Sequence, residues 1–436
     1  MRWLAMALMM AAASATGAAA KPEASAAEMR SDGRALAAQI AERVDALYVV
    51  DATRPKLVAM LRANAAAGRY DGLGPDALAR RLSDDMAAVA RDKHLRVSHS
   101  PDQAAMIGAE LRDDDEVSPA MAAFIRRLNH GVRELRLLPG NIRYMAYDGF
   151  GYTGADTDAA IEGAMRFLAG GDAVVIDLRR NGGGDPRAVA LLASYFMDAG
   201  RSLASFEMRG RPSPPNSTRA VAPSLKGKPL YVLTSPRSAS AAEEFATHVS
   251  AFGFGTLVGG TTAGAAYRND LLGLPGGYVL SVSTGRPIHA KTGGDWEGVG
   301  VVPAIAVDPE LALDRALAEA HERLGGGGGR EAVEHARLAR FHAAKASPVP
   351  PSRALGAYAG RYGERTVAVS DGVLTIQRDG GPRSTLIATG VDRFTMELDP
   401  TTEVRFETNG GAVTGATVER VDGRVERHDR EWRLAG

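Results

Sequence analysis

Two serines occupy a junction where the chain passes from a strand into a helix. The apolar run PLYVLT over residues 229–234 predicts a buried strand, and residues 239–250 have helical spacing. Ser238 and Ser240 lie at this junction, on rigid scaffold beside the positive end of a helix dipole. The residues alone leave two interpretations open for each serine, a helix cap or a nucleophile.

A glycine-rich turn follows another predicted strand. The segment DLRRNGGG at 177–184 ends the strand-like run 173–178 and precedes a predicted helix over 186–197. Glycines free the backbone to approach a ligand closely, and exposed N–H groups at a helix N-terminus suit an anionic oxygen. The spacing is neither that of a P-loop nor that of a dinucleotide fingerprint, so a plain tight turn is the second interpretation.

The amino-acid composition excludes several kinds of partner and catalytic group. The 436 residues include 52 basic and 52 acidic side chains, and this balance does not favour nucleic acid or an anionic membrane as a partner. The absence of cysteine excludes disulfides, thiolate metal sites and a cysteine nucleophile. Only seven of the basic residues are lysines, which leaves few candidates for a catalytic lysine. The nine histidines lack metal-ligand spacing, and we predict no metal and no cofactor.

The first residues are typical of a cleavable export signal. Arg2 supplies a positive charge, residues 3–13 an apolar run, and residues 18–20 a small-residue cleavage site. The run is too short to span a bilayer and no other stretch approaches that length, so we predict no membrane span. We expect the mature protein in the periplasm or outside the cell.

The elements that must position these residues change in type along the chain. Helical apolar spacing comes first, then short apolar runs alternating with helices, and finally short strands separated by Asp-Gly and Asn-Gly turns. The residues between the first helices and the core, 119–138, are predicted to form one more helix. The chain therefore divides into a signal peptide (1–20), a helical N-terminal domain (21–140), an α/β core (141–324), a linker with a helix (325–352) and an all-β domain, a small barrel (353–436).

Four motifs, in this chain order, resemble those of the tail-specific (C-terminal-processing) serine peptidases. They are DLRRNGGG at 177–184, SASAAE at 238–243, GGTTAGA at 259–265 and GVGVVP at 298–303. The resemblance covers about residues 35–320 and is strongest from 173 to 307. It implies a ClpP/crotonase-like α/β core.

The resemblance also implies roles for individual residues. The second serine of Ser-Ala-Ser is the family's nucleophile, which assigns that role to Ser240 and not to Ser238. The oxyanion hole is then the N–H of Ala241 together with an N–H from the glycine turn, that of Gly183 or Gly184. Such donors contribute about 3 kcal/mol each when they face the developing charge.

The residue expected to act as the general base differs from that of the better-known family members. They have a lysine where this chain has Ala265. The chain instead resembles the branch that contains the tricorn core peptidase and the interphotoreceptor retinoid-binding protein. In that branch a histidine from the N-terminal part and a downstream glutamate replace the lysine. The matching residues are His94, in DKHLRV at 92–97, and Glu297, in DWEGVG at 295–300.

Several residues compete with these assignments. His99 is an alternative base, and Asp295 is an alternative to Glu297. Glu243 and Glu244, in the first turn of the predicted helix, are expected to favour the helix dipole without a catalytic role. His248, on the same helix, is expected to pack or to face solvent. The remaining histidines are expected at the surface: His130, His289, His321, His335, His342 and His428.

The resemblance implies an exported serine-type endopeptidase that acts on peptides or unfolded chain ends. The alternative, from a different class, is a non-catalytic binding protein for a small apolar ligand or peptide on a peptidase scaffold. Serine, histidine and glutamate at all three positions favour the enzyme, and a histidine base predicts activity rising across about pH 6–7. The substrate, the oligomeric state and the role of the β-domain stay open.

The signal interpretation has a direct test. We expect the mature protein to begin near Lys21, because signal peptidase cleaves after small residues such as those at 18–20. N-terminal sequencing of protein recovered from the periplasm or medium measures this. A cytosolic protein that starts at Met1 would contradict it.

Overall fold

The computed structural model of the protein describes residues 33–108, 117–209 and 211–431, so the predicted signal peptide lies outside the described residues. The chain forms two compact units. The first contains residues up to 136 together with 144–170 and 176–306. The second contains 137–143, 171–175 and 307–436. No helix within the described ranges has the length and apolar character that crossing a membrane requires.

The N-terminal region is helical, as the sequence predicts. Its apolar residues recur every three or four positions, so each helix has one face to bury. The helices are α1 (Gly33–Leu47), α2 (Arg54–Ala66), α3 (Pro75–Ala90), α4 (Pro101–Ile107) and α5 (Pro119–Arg127). The buried faces of α1, α2 and α3 share one core with Leu272, Leu280 and Val282, which belong to strands from the middle of the chain.

The first sheet of this unit is antiparallel and receives those helices. It consists of β1 (Arg96–His99), β5 (Ala204–Met208), β6 (Arg211–Pro212), β9 (Arg268–Leu274) and β10 (Tyr278–His289). The strand order is β1-β10-β5-β6, and β9 also pairs with β10. Strand β1 follows His94 directly and is paired with β10 in the register Arg96–Ser281, which fixes the His94 segment at the edge of this sheet.

The second sheet has six strands, in the order β11-β8-β7-β4-β3-β2. They are β2 (Val132–Leu138), β3 (Ile142–Tyr147), β4 (Ala173–Asp177), β7 (Leu230–Thr234), β8 (Thr256–Gly259) and β11 (Ile305–Ala306). The helices that alternate with them are α6 (Ala155–Ala169), α7 (Pro186–Ser194) and α8 (Ala241–Phe252). Strands β4 and β7 are buried along their whole length, which explains their continuous apolar runs.

The ends of β4 and β7 lie side by side. Leu178 N donates a hydrogen bond of 3.0 Å to Leu233 O, so the glycine turn and the two serines follow the adjacent carboxyl ends of two strands. Helix α7 begins immediately after the turn, because Asp185 caps it and Pro186 occupies its first position. The sheet thereby brings together two motifs that are about 60 residues apart in the chain.

The predicted helix over 119–138 is wrong in its second half. Helix α5 ends at Arg127, and the chain then reverses through Asn129, His130 and Gly131, which have φ values of 48°, 54° and 93°. A Cβ at Gly131 would lie 1.8 Å from Gly149 O, so the backbone approaches closely where only glycine fits. The following residues form strand β2, because pairing at the sheet edge overrides their helical spacing.

The second unit contains the predicted barrel. Its eight antiparallel strands close through the pairing of the first with the last. They are β12 (Gly360–Tyr362), β13 (Arg365–Ser370), β14 (Val373–Arg378), β15 (Arg383–Gly390), β16 (Arg393–Met396), β17 (Asp399–Asn409), β18 (Ala412–Glu419) and β19 (Val425–Glu431). Tyr358, Phe394 and Phe406 fill the interior with ring centroids about 5 Å apart. An α/β core, a helical N-terminal region and an all-β C-terminal barrel are thus all present, as the sequence predicts.

Two helices precede the barrel in the same unit, α9 (Ala312–Leu324) and α10 (Gly329–Ala346). Helix α10 is fastened to the barrel by Arg337, a buried side chain. Its guanidinium donates to Thr401 O at 2.7 Å, to Glu419 O at 2.9 Å and to Glu419 Oε1 at 2.5 Å. Residues 326–328, between the two helices, are exposed. The domain boundaries at 325 and 353 stay predictions, and the structure adds that α10 packs with the barrel.

Limited proteolysis tests this arrangement. We expect the first cut at 326–328, which releases a C-terminal fragment of about 110 residues that keeps α10, because exposed glycines are easily cleaved. Arg337→Ala should add a second cut near 348–351, since the helix loses its charged anchor. Electrophoresis with mass spectrometry measures the fragments, and a first cut inside 141–307 would contradict the predicted boundary.

Candidate active site

Ser240 has the backbone geometry of a strained turn. Its φ and ψ are 56° and −121°, which a residue with a side chain rarely adopts, and helix α8 begins at the next residue. The side chain is 5% exposed, and its Oγ has no hydrogen-bond partner. Because no hydrogen bond engages Oγ, the hydroxyl is available for chemistry.

Ser238 has a different environment. It is fully buried, its Oγ donates to Leu178 O at 2.8 Å, and it accepts a hydrogen bond of 3.0 Å from Ser235 N. The hydroxyl therefore uses its proton as a donor and its oxygen as an acceptor, in both cases with backbone groups at the ends of β4 and β7. Ser238 joins the two strand ends and has a structural position.

The glycine turn is pressed against Ser240. Gly183 has φ of 108°, and a Cβ at this position would lie 2.7 Å from Ser240 Cβ and 3.1 Å from Ala241 N. Only glycine permits this approach. Asn181 holds the turn in place, since its Nδ2 donates to Tyr147 O at 2.8 Å and its Oδ1 accepts from Gly183 N at 2.9 Å. The Gly183 N–H is consequently already donated to a side chain.

The carboxylate of Glu243 joins the loop at residues 262–265 to the backbone of Ser240. It is completely buried and accepts hydrogen bonds from Ser240 N (2.9 Å), Thr262 Oγ1 (2.6 Å), Gly264 N (2.6 Å) and Ala265 N (2.8 Å). Burial raises its pKa, and these donors oppose that shift. The sequence indicates for Glu243 only an interaction with the helix dipole. The spacing of three residues after a serine, as in a capping box, was a signal for its bond to Ser240 N.

His94 lies in a buried segment directly before β1. Asp92 Oδ1 accepts from His94 N at 2.8 Å and from Leu95 N at 3.3 Å, and Ser281 Oγ donates to His94 O at 2.5 Å. The imidazole is 4% exposed. Burial, with a smaller effect of the Arg96 charge, lowers the pKa of His94 to about 4. The histidine is therefore neutral at pH 7, the form that can accept a proton.

Glu297 is partly buried and has one oxygen engaged. Its Oε2 accepts from Ala266 N at 2.5 Å and from Tyr267 N at 3.1 Å, whereas Oε1 is buried without a hydrogen-bond partner. Burial and then the nearby Asp92 charge raise the pKa of Glu297 to about 7. The alternative acid, Asp295, is occupied, since it accepts from Arg286 Nε at 2.5 Å and from Glu297 N at 3.0 Å.

One loop, residues 262–267, connects the three sequence-predicted residues. Glu243 ties it to Ser240, and Ala266 and Tyr267 bind Glu297. Lys93, next to His94, donates its ammonium proton to Ala263 O. The loop is itself fixed to the serine junction because Ala263 N donates to Ser238 O at 2.9 Å. Ser240 is thus linked to this loop through Glu243, Glu297 is bonded to it directly, and the His94 segment reaches it through the side chain of Lys93.

The competing residues are engaged elsewhere. The ring of His99 donates from Nε2 to Gly276 O at 3.1 Å and packs against Tyr278. Lys291 is exposed and donates to Ala251 O. The expectation that the other histidines lie at the surface is wrong for four of them, which are buried: His130, His289, His321 and His342. Across the described ranges, no group of three or more His, Asp or Glu side chains is placed to hold a metal ion.

Comparison with known proteins bears on the core. Residues 141–307 match the model of peptidase family S41. Among solved structures, the chain is similar to a photosystem II D1 C-terminal processing protease, with 19% identity, a TM-score of 0.42, and coverage of 64% of this chain and 94% of that one. It is also similar to a lipoprotein from Streptococcus agalactiae, with 15% identity, a TM-score of 0.45, and coverage of 71% and 100%.

A third similarity is to the tricorn protease, with 13% identity, a TM-score of 0.39, and coverage of 65% of this chain and 35% of that one. The matched range, 141–307, contains all four motifs on which the sequence resemblance depends, and it also contains Glu297. Residues 141–307 thus match peptidase family S41, in agreement with the resemblance to tail-specific peptidases that the motifs indicate.

Proposed function

We propose that this peptidase is an exported serine endopeptidase that cleaves peptides or unfolded chain ends through Ser240, His94 and Glu297. The observation that carries the proposal is the buried, strained Ser240, whose hydroxyl has no hydrogen-bond partner beside a glycine turn. Strain of this kind persists only where the surrounding structure enforces it, and it is concentrated at functional sites. Export rests on the N-terminal sequence.

Each residue has one role in the proposed reaction. Ser240 Oγ attacks the carbonyl carbon of the scissile peptide bond while His94 accepts the hydroxyl proton and later gives it to the leaving amine. Glu297, in its ionised form, orients and stabilises the imidazolium. The Asp92 carboxylate holds the backbone of His94 and thereby the position of the base.

Two N–H groups are proposed to receive the negative oxygen of the tetrahedral intermediate. Ala241 N belongs to the first turn of α8, whose N–H groups have no partner within the helix. Of the two glycines suggested by the sequence, the bond of Gly183 N to Asn181 Oδ1 favours Gly184 as the second donor. Each donor contributes on the order of 3 kcal/mol to the transition state.

Binding of a small apolar ligand is a second candidate function, and it concerns the C-terminal unit alone. A cavity of about 500 Å³ lies between the end of α10, the proline segment 348–351 and strands β14 and β15. Val349, Leu355, Val373 and Leu386 are among its mostly apolar lining residues. This volume falls in the range of small-molecule sites. A fluorescent apolar probe that binds equally to wild type and Ser240→Ala would support this function, and no saturable binding would contradict it.

Paired serine substitutions test the nucleophile. Ser240→Ala should lower peptide hydrolysis by several orders of magnitude and abolish labelling by a fluorophosphonate, because the attacking oxygen is lost. Ser238→Ala is the matched control. It should keep the labelling but lose about 1–3 kcal/mol of stability, since two buried backbone groups lose their partner. Equal hydrolysis by Ser240→Ala and wild type ends the serine-peptidase proposal.

The pH profile tests the base and its acidic partner. His94 becomes protonated only near pH 4, whereas Glu297 ionises near pH 7. The proposed activity needs neutral His94 and ionised Glu297, so it should rise as pH increases through about 7. This rise in the pH–rate profile reports the ionisation of Glu297. Glu297→Gln should have a lower kcat that no longer rises near pH 7. His94→Ala should be nearly inactive at every pH.

Lysine substitution provides the control for that profile. Lys291→Ala should leave the pH limb and most of the activity in place, because the side chain is exposed and bonded away from the serine junction. An inactive Lys291→Ala together with an active His94→Ala would replace the proposed site by a serine–lysine mechanism. Measurement of kcat and KM from pH 4 to 9 separates these outcomes.

A further inference from the structure

Strand β2 is an open edge of the six-stranded sheet and exposes two leucines. It stands last in the strand order, with β3 as its neighbour on the inner side. Leu135 is 37% exposed and Leu137 is 60% exposed. Arg133 lies on the same face, because alternate residues of a strand point to the same side. None of these side chains belongs to the proposed site.

The outer backbone edge of β2 has no strand beside it in the described ranges. Apart from the pairing with β3, residues 133–137 exchange no backbone hydrogen bond with a residue that the structure describes. At the start of the strand, Val132 O is already engaged, since it accepts from Asn129 Nδ2 at 2.9 Å. No proline interrupts residues 133–137. The N–H and C=O groups that point away from β3 therefore form a template for pairing with another strand.

The charged side chains of β2 have a definite order. Glu134 Oε1 and Arg136 Nε are 3.2 Å apart on the second face of the strand, and the two side chains are 41% and 40% exposed. The Arg136 guanidinium also lies 4.3 Å from the Tyr144 ring centroid. On the first face, Arg133 Nε is 2.8 Å from Asp148 Oδ2. One acidic residue between two basic ones is thus held in place along the open edge.

Symmetry restricts how two copies of such an edge can pair. In a dimer with a two-fold axis, the paired strands run antiparallel and one residue lies opposite its own copy. Any of the three charged residues at this centre would face an identical charge, which is destabilising. Leu137 at the centre would place Leu135 opposite Pro139, which has no N–H to donate. Within residues 133–137, Leu135 is the centre that avoids both faults.

Pairing about Leu135 matches both the charges and the apolar side chains. Glu134 of each copy would lie opposite Arg136 of the other, so two opposite-charge pairs flank the centre. Leu135 would contact its own copy, and the methylene groups of Arg133 would cover Leu137 of the other copy. In this register no like charges lie directly opposite each other.

We propose that β2 is a dimerisation edge, where a second copy of this chain pairs antiparallel about Leu135 and continues the six-stranded sheet. The order of charges and leucines in β2 is self-complementary, so the partner that it fits is another β2. One strand pair is a small interface, and the dimer therefore forms reversibly and depends on protein concentration. Dimerisation is independent of the peptidase activity, because no residue of the proposed site takes part in the pairing.

Sedimentation velocity on the full-length protein measures the association. The wild type should shift from monomer to dimer between about 1 µM and about 1 mM, the affinity range expected of a small interface. Glu134→Arg and Arg136→Glu should each raise the dissociation constant about ten-fold or more, because two opposite-charge pairs become like-charge pairs. Glu42→Arg, at an exposed acid on α1, is the matched control and should follow the wild type. A wild type that stays monomeric overturns the proposal.

Mixing the two charge variants separates pairing from folding. Their mixture should associate about as tightly as the wild type, because each basic residue of one variant then lies opposite an acidic residue of the other. A folding defect within either chain could not produce this recovery. Leu135→Lys, which keeps both charged neighbours, should also weaken association about ten-fold or more. A mixture that stays monomeric, or an unchanged dissociation constant in Leu135→Lys, contradicts pairing in this register.

Hydrogen exchange locates the interface. Raising the wild-type concentration should slow the exchange of those backbone amides in 133–137 that point away from β3, since they gain carbonyl acceptors from the second copy. Amides of β4, in the interior of the sheet, should exchange at an unchanged rate and serve as the internal control. A dimer that forms without slower exchange at 133–137 uses another surface and refutes the assignment to β2.

Discussion

The carboxylate of Glu243 is the interaction on which the rest of the site depends. It is completely buried and accepts four hydrogen bonds, one from the N–H of Ser240 and three from the loop that begins at Thr262. A buried carboxylate without such donors would be strongly unfavourable, so the helix and the loop cannot separate without exposing it. The positive φ of Ser240 is sustained by this constraint and by the glycine turn packed against it.

The same loop shows what Ala265 does where the better-known peptidases that this chain resembles have a lysine. The alanine directs its N–H to Glu243 and is itself buried, so the position has become part of the scaffold. The next two N–H groups bind Glu297. Burial then acts in opposite directions on the two titratable groups of the proposed site, lowering the pKa of His94 and raising that of Glu297. One group is kept neutral and the other is placed near its titration point at physiological pH.

The sequence determined much of the fold because its signals were local. Apolar runs identified β4 and β7, Pro186 after Asp185 marked the start of α7, and paired Asp-Gly turns predicted the strands of the barrel. The helix predicted over 119–138 failed in its second half because a close backbone contact at Gly131 and pairing at the sheet edge are not visible in local spacing. Four motifs in order also sufficed to indicate the family, since each depends on residue type and spacing alone.

What only the tertiary structure decided is the environment of each side chain. The sequence placed Ser238 and Ser240 two residues apart, and the fold gave one a pair of backbone partners and the other none. It likewise could not distinguish a histidine at the surface from one that is buried and hydrogen-bonded to a second histidine, such as His289, because burial and hydrogen-bond partners arise from segments distant in the chain. Residue types and their order are local properties of a chain, whereas desolvation and hydrogen-bond satisfaction exist only after distant segments have packed together.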